Sequence, residues 1–112
     1  MLTLPSNVRL FMYQYPMSMR KSFEGLSGII EELFPSELLT GALFVFLNKR
    51  KDHLKVLFWD GDGLVIYFKR LEEGTFHWKW GENIPLNRKT FLLLLEGVVP
   101  KKFEHRFSLK KA

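Results

Sequence analysis

Between residues 42 and 80 the chain repeats one pattern: a short apolar or aromatic stretch, then a shorter connector. The stretches are 42–47, 53–59, 64–70 and 75–80; the connectors are 48–52, 60–63 and 71–74. Connectors this short join antiparallel neighbours, so the pattern predicts a four-stranded antiparallel meander. Gly63 and Gly74 each end a three-residue turn in this reading, where a left-handed residue is needed. Upstream, residues 8–15 are apolar and aromatic and are closed by Pro16, which reads as a further strand. The sheet then has four to five strands.

Two helices flank the meander. Met19, Phe23, Leu26, Ile30 and Leu33 recur at helical spacing, with Ser18 as the cap and Pro35 as the stop. Gly25 and Gly28 lie three apart on this helix, each at a cost of about 1 kcal/mol; close approach to a packed sheet would offset it. Residues 88–96 form the second helix, capped by Asn87 and stopped by Gly97. The expected fold is α+β, with both helices on one face of the sheet. Residues 1–100 form the single domain and residues 101–112 a basic C-terminal tail.

The 112 residues are 46% hydrophobic and include no cysteine, which excludes disulfides, thiolate metal sites and Cys nucleophiles. The longest apolar run of helical character, residues 91–95, is too short to span a bilayer, and the N-terminus lacks the pattern of a signal peptide. The expectation is a small soluble protein of the cytoplasm with no membrane partner. The net charge of +5 is largely a property of the tail. Residues 101–112 hold five basic side chains against Glu104, leaving twelve basic and eleven acidic in residues 1–100. A basic tail either attracts a polyanion or solubilises the terminus.

The turn register decides which side chains share a face. With three-residue turns, Val56 sits opposite Phe68 and Phe58 opposite Ile66 on a face turned to the helices. The other face then gathers Lys55 near Lys69 and Leu57 near Tyr67, with Trp59, His77 and Lys79. Two lysines directly opposite repel each other, so such a pair would suggest an anionic partner. Trp59 and Tyr67 would add stacking surfaces. Arg20 and Lys21 fall in the first turn of the first helix, an electropositive place that suits phosphate; Glu24 one turn on would neutralise them in the plainer reading. Lys49, Arg50 and Lys51 project from a hairpin tip, able to meet phosphates without reading bases.

Catalytic constellations are weak. Asp60 and Asp62 could hold a divalent metal for phosphoryl transfer, but Asp and Gly are ordinary turn residues. A calcium loop beginning at Asp60 fails because its fifth and twelfth positions are Leu64 and Leu71. His53, His77 and His105 pair with no His or carboxylate at ligand spacing. No nucleophile elbow, phosphate loop or dinucleotide fingerprint occurs. The expectation is no enzyme activity, no metal and no cofactor.

Three segments carry a resemblance: M-R-K-S-F-E-G-L (19–26), L-F-V-F-L-N-K-R-K-D-H-L-K-V-L-F-W-D-G-D-G-L-V-I-Y-F-K-R-L-E-E-G-T-F-H-W (43–78) and L-L-L-E-G-V (93–98). Together they resemble the TnpB-like accessory protein encoded by the second reading frame of bacterial insertion sequence family sixty-six, over residues 1–99. This family is distinct from the RNA-guided nucleases that share the TnpB label. The resemblance implies a role in transposition beside a separate transposase, and it carries no catalytic residues. Its shared basic positions match Arg20, Lys21, Lys49, Arg50, Lys55, Lys69 and Arg70. Ser18 stands where members commonly have Asp, and the segment after Pro100 falls outside the shared pattern. The leading expectation is a non-catalytic accessory protein that binds DNA phosphates, the transposase of the same element, or both. The alternatives are an adaptor without DNA affinity and a metal-dependent nuclease using Asp60 and Asp62 with Glu72 or Glu73. The oligomeric state is left open, a dimer through an exposed sheet edge being one outcome.

Overall fold

The computed structural model describes residues 7–81 and 86–97. Six elements follow in chain order: β1 (Leu10–Met12), α1 (Phe23–Leu33), β2 (Leu43–Leu47), β3 (His53–Trp59), β4 (Leu64–Arg70) and α2 (Arg88–Leu95). They form an α+β fold with one open four-stranded sheet in the order β1-β2-β3-β4.

The sheet is mixed. β2, β3 and β4 are antiparallel neighbours as the spacing predicts, but β1 runs parallel to β2, with Leu10 beside Leu43. A parallel neighbour needs a crossover connection, and α1 is that crossover. β2 is therefore interior, and all five of its residues are buried. Alternate side chains serve two cores. Phe44 and Phe46 pack with Leu26 and Ile30 of α1 and with Leu57; Leu43, Val45 and Leu47 pack on the other face with Leu54, Val56 and with Phe91, Leu94 and Leu95 of α2. The two helices thus cover opposite faces, not one. Each fully buried Phe contributes about 2–3 kcal/mol by leaving water, so neither face is dispensable.

Residues 75–80 are not a fifth strand. Phe76 and Trp78 are buried in the α2 core while Thr75, His77 and Lys79 are exposed, which reproduces the two-residue period of a strand. The backbone pairs with no ladder; the Phe76 N–H donates to Lys51 O at 2.6 Å. Alternation reports extended chain with one side buried, and says nothing of a neighbour.

The β3–β4 register also departs from the three-residue turn. The Asp60 N–H donates to Gly63 O at 2.9 Å, so Gly61 and Asp62 alone make the reversal, with φ 89° at Gly61. Glycine at the first position of a two-residue hairpin turn supplies that positive φ without strain. Trp59 consequently faces Leu64, Leu57 faces Ile66, Lys55 faces Phe68 and Val56 faces Tyr67. Every pairing across the two strands moves by one, and the Lys55–Lys69 pair does not exist.

Helix α1 starts later than the spacing suggests. Its cap is Ser22, whose side chain makes no capping bond. Ser18 caps nothing in α1; its Oγ accepts from the Arg20 N–H at 3.2 Å. A Cβ on Gly25 would meet the aliphatic stem of Lys21 at 3.2–3.3 Å, and one on Gly28 would meet nothing within 4 Å. Neither glycine is there for the sheet. Gly28→Ala is expected to raise stability by about 0.5–1 kcal/mol, because an exposed helical position gains propensity without a clash; a urea titration checks it. Helix α2 conforms to its sequence: Asn87 Oδ1 accepts from the Thr90 N–H at 2.8 Å, and Gly97 follows with φ 70°.

Candidate nucleic-acid interface

Two cationic segments meet at one end of the sheet. The first is the chain between β1 and α1, where the Tyr13 N–H donates to Val45 O and the Met17 N–H to Leu47 O, carrying residues 13–17 along β2. The second is the β2–β3 hairpin, residues 48–52. Between them lies an open cleft of about 370 Å³, walled by Pro16–Met19 on one side and by Asn48, Lys49, Arg50 and His53 on the other.

Lys55 holds the first segment in place. It is only 7% exposed, and its Nζ donates to Met19 O and Lys21 O, both at 2.8 Å. The same ammonium lies 4.8 Å from the ring centroid of Phe68, an attractive placement for a cation. Burial pushes its pKa below the usual lysine value. The backbone carbonyls on which Lys55 closes immediately precede α1, so Arg20 and Lys21 are presented just ahead of the helix rather than inside its first turn.

Asn48 holds the hairpin. Its Oδ1 accepts from the backbone N–H groups of Asp52 and His53, both at 3.0 Å, and its Nδ2 donates to Asp52 Oδ1 at 2.7 Å. His53 Nδ1 lies 2.7 Å from the same oxygen. These bonds hold the Asp52 carboxyl down to about 2, the Asn48 bond being the largest cause and the His53 bond the next. Lys51 takes up a left-handed φ of 60° at the tip, and its Nζ lies 5.1 Å from the Trp80 ring centroid. This geometry separates Lys51 from Lys49 and Arg50, turning it toward the segment that follows β4.

With Lys51 turned toward Trp80, the other seven expected cations fall into three groups. Arg20, Lys21 and Lys49 are exposed at or beside the cleft, and among the described residues no carboxylate pairs with them. Arg50 and Arg70 are exposed but matched, Arg50 to Asp52 at 3.5 Å and Arg70 to Glu72 at 2.9 Å. Lys55 and Lys69 point to opposite faces: Lys55 is buried as described, and Lys69 Nζ donates to Leu95 O at the end of α2. The stacking face expected from Trp59, Tyr67 and His77 does not assemble. Trp59 lies on the α1 side, Tyr67 packs against the α2 core, and His77 lies in the irregular segment after β4.

Residues that the sequence reading passed over do the organising. Asn48 is the hub of the hairpin. His53 does pair with a carboxylate, its immediate neighbour. Tyr15, 67% exposed and edge-on to Tyr13 at 5.7 Å, stands next to the cleft wall. The signal available was the short N-x-x-x-D-H string, which bridges a five-residue connector with side chains that bond backbone. Asp60 and Asp62 lie on the exposed β3–β4 turn, and among the described residues no group of three or more His, Cys, Asp or Glu is placed to hold a metal. No helix there is long and apolar enough to cross a membrane. Residues 101–112 lie outside the described residues.

The arrangement is that of a small α+β protein carrying a cationic cleft on a braced hairpin. The chain belongs to the family described as IS66 Orf2 like protein, whose model matches residues 8–105. The family is one of accessory proteins of insertion-sequence transposition. The match passes Pro100, so the first part of the basic C-terminal segment lies within the family pattern. The chain is similar to two proteins of Sinorhizobium fredii. It is 34% identical to the uncharacterized protein y4hO over 99 residues, covering 85% of this chain and 86% of the relative. It is 32% identical to the uncharacterized protein y4jC over 69 residues, spanning 62% of this chain and only 59% of that relative. No solved structure matches the chain.

Proposed function

We propose that the chain serves transposition as a non-catalytic DNA clamp, binding backbone phosphates at the cleft between residues 16–19 and 48–53 beside the transposase. One observation supports this reading: Lys49 lines the cleft, Arg20 and Lys21 directly follow its other wall, Pro16–Met19, and among the described residues no carboxylate pairs with any of the three. Backbone contacts of this kind position a protein on a duplex and carry no sequence information. Specificity for the ends of the element then belongs to the transposase. Residues 101–112 add positive charge that increases non-specific affinity.

The test is a salt-titrated anisotropy measurement of the full chain on duplex DNA. Each phosphate neutralised contributes about −0.9 to the slope of log affinity against log salt. Arg20→Ala with Lys49→Ala is expected to flatten that slope by about 2 and to weaken binding on every duplex alike. An unchanged slope, or no binding by the native chain at low salt, overturns the clamp. Retention of DNA only after the transposase is added supports the adaptor reading, in which the same cations face an acidic patch on that partner.

A further inference from the structure

We propose that a second pocket, beside the cationic cleft, takes the flat face of an unpaired nucleobase, with Phe68 as the stacking platform. The inference rests on the DNA reading of the cleft and extends it from backbone to base. The pocket is open and about 440 Å³ in volume, and the described residues lining it are His53, Phe68, Arg70 and Glu72. His53 also lines the cleft between residues 16–19 and 48–53, so the two hollows share a wall.

The sheet register explains why an aromatic ring is bare here. Residues directly opposite each other across two strands share a face, and His53 with Arg70, Lys55 with Phe68 and Leu57 with Ile66 are such pairs. Leu57 and Ile66 pack against Leu26 and Ile30 of α1. Helix α1 begins only at Phe23, and the segment ahead of it closes on Lys55. Past that segment Phe68 is left 52% exposed. The ring is nevertheless held. The Lys55 ammonium lies 4.8 Å from its centroid, and the His53 ring lies 5.8 Å away, tilted by 40°. His53 is in turn fixed through Nδ1, 2.7 Å from Asp52 Oδ1. A platform fixed before its ligand arrives loses little freedom on binding.

Charge decides what fits. The Arg70 Nε–H donates to Glu72 Oε2 at 2.9 Å, so the two charges on the pocket rim answer each other. A phosphate gains little from a guanidinium already matched, and it meets the carboxylate as well. A nucleobase is neutral, with apolar faces for Phe68 and a polar edge for the rim. Its flanking phosphates have the adjoining cleft, where Lys49 is unmatched by any carboxylate among the described residues. An apolar side chain of a protein could also cover Phe68, but it brings no phosphate to that cleft. Inside a duplex both faces of a base are already stacked, so the ligand is a nucleotide freed from pairing, at an end or a junction.

The test uses the full chain and a DNA duplex with a short single-stranded overhang, made either with bases or with abasic sugars. The two overhangs carry the same phosphates. The native chain is expected to bind the overhang with bases about tenfold more tightly, with the same dependence on salt for both probes. Phe68→Leu keeps apolar bulk and removes the π face, and is expected to abolish that difference. Both probes meet the same variant, so any loosening of Lys55 cancels in the comparison. Phe68→Trp is expected to retain the difference. A fluorescent adenine analogue in the overhang is expected to be quenched on the native chain and not on Phe68→Leu. Equal binding of the two overhangs by the native chain, or a preference that survives Phe68→Leu, overturns the base pocket and leaves the clamp standing. Binding to neither probe overturns both. A Phe68→Leu chain that keeps the base preference and loses only the transposase assigns the pocket to a protein side chain.

Discussion

Lys55→Ala is expected to cost the fold about 3 kcal/mol, and Lys55→Met less than about 1 kcal/mol. The difference follows from what each substitution leaves behind. Alanine removes a buried four-carbon stem between Phe46 and Phe68, the neighbours on β2 and β4, and abolishes two bonds from an ammonium to the Met19 and Lys21 carbonyls. The result is a cavity and two acceptors deprived of their donor. Methionine refills the volume and also removes the cost of burying a charge. What it cannot restore is the tether. The two variants therefore separate stability from positioning. Lys55→Met is expected to unfold near the native urea midpoint and yet bind duplex DNA about tenfold more weakly, with faster amide exchange through residues 18–22. Native affinity in a folded Lys55→Met would show that the segment holds its place without the lysine. It would remove the tether from the account of the cleft.

The same lysine shows what the sequence made legible. β3 and β4 coincide with their apolar stretches residue for residue, and Asn87 and Gly97 bound α2 as their types predict. Those elements are written in local chemistry: hydrophobic period, cap and breaker. The tertiary errors share a different cause. A two-residue reversal and a three-residue one differ by a single position, yet that position decides whether Lys55 faces Lys69 or Phe68. Likewise, nothing local to residues 8–15 distinguishes a strand parallel to β2 from an antiparallel one, because α1, not a turn, sets the direction. Residues 75–80 carry a strand's alternation without a strand's neighbour. The cationic segments were visible as charge runs. Their convergence was not, since it depends on a buried lysine bonding to backbone more than thirty residues away.

Asn48→Ala is expected to destabilise the protein by about 2 kcal/mol, and to change its response to acid as well as its stability. The amide serves two backbone donors and one carboxylate oxygen at once, and a half-buried hydrogen bond contributes about 0.5–1.5 kcal/mol. The acid response follows from Asp52. In the folded protein its pKa is held at about 2, against 3.8 for the unperturbed group, with the Asn48 bond the largest cause. A carboxyl depressed by folding stabilises the protein above its unfolded pKa, and that contribution fades as pH falls from about 4 toward 2. In Asn48→Ala the Asp52 carboxyl moves back toward its ordinary range, so less stability remains to be lost in that window. Urea midpoints measured from pH 5 to pH 2 should fall less steeply for the variant than for the native chain. The Asp52 carboxyl carbon should titrate at higher pH by NMR. Equal slopes would mean that His53 alone sustains the shift and that Asn48 braces only the backbone. The prediction also bears on the cleft, because Lys49 and Arg50 stand on the turn that Asn48 closes. A clamp needs its cations held before the phosphate arrives, since ordering them on binding subtracts from affinity. DNA affinity should therefore fall in Asn48→Ala even though no positive charge has been removed.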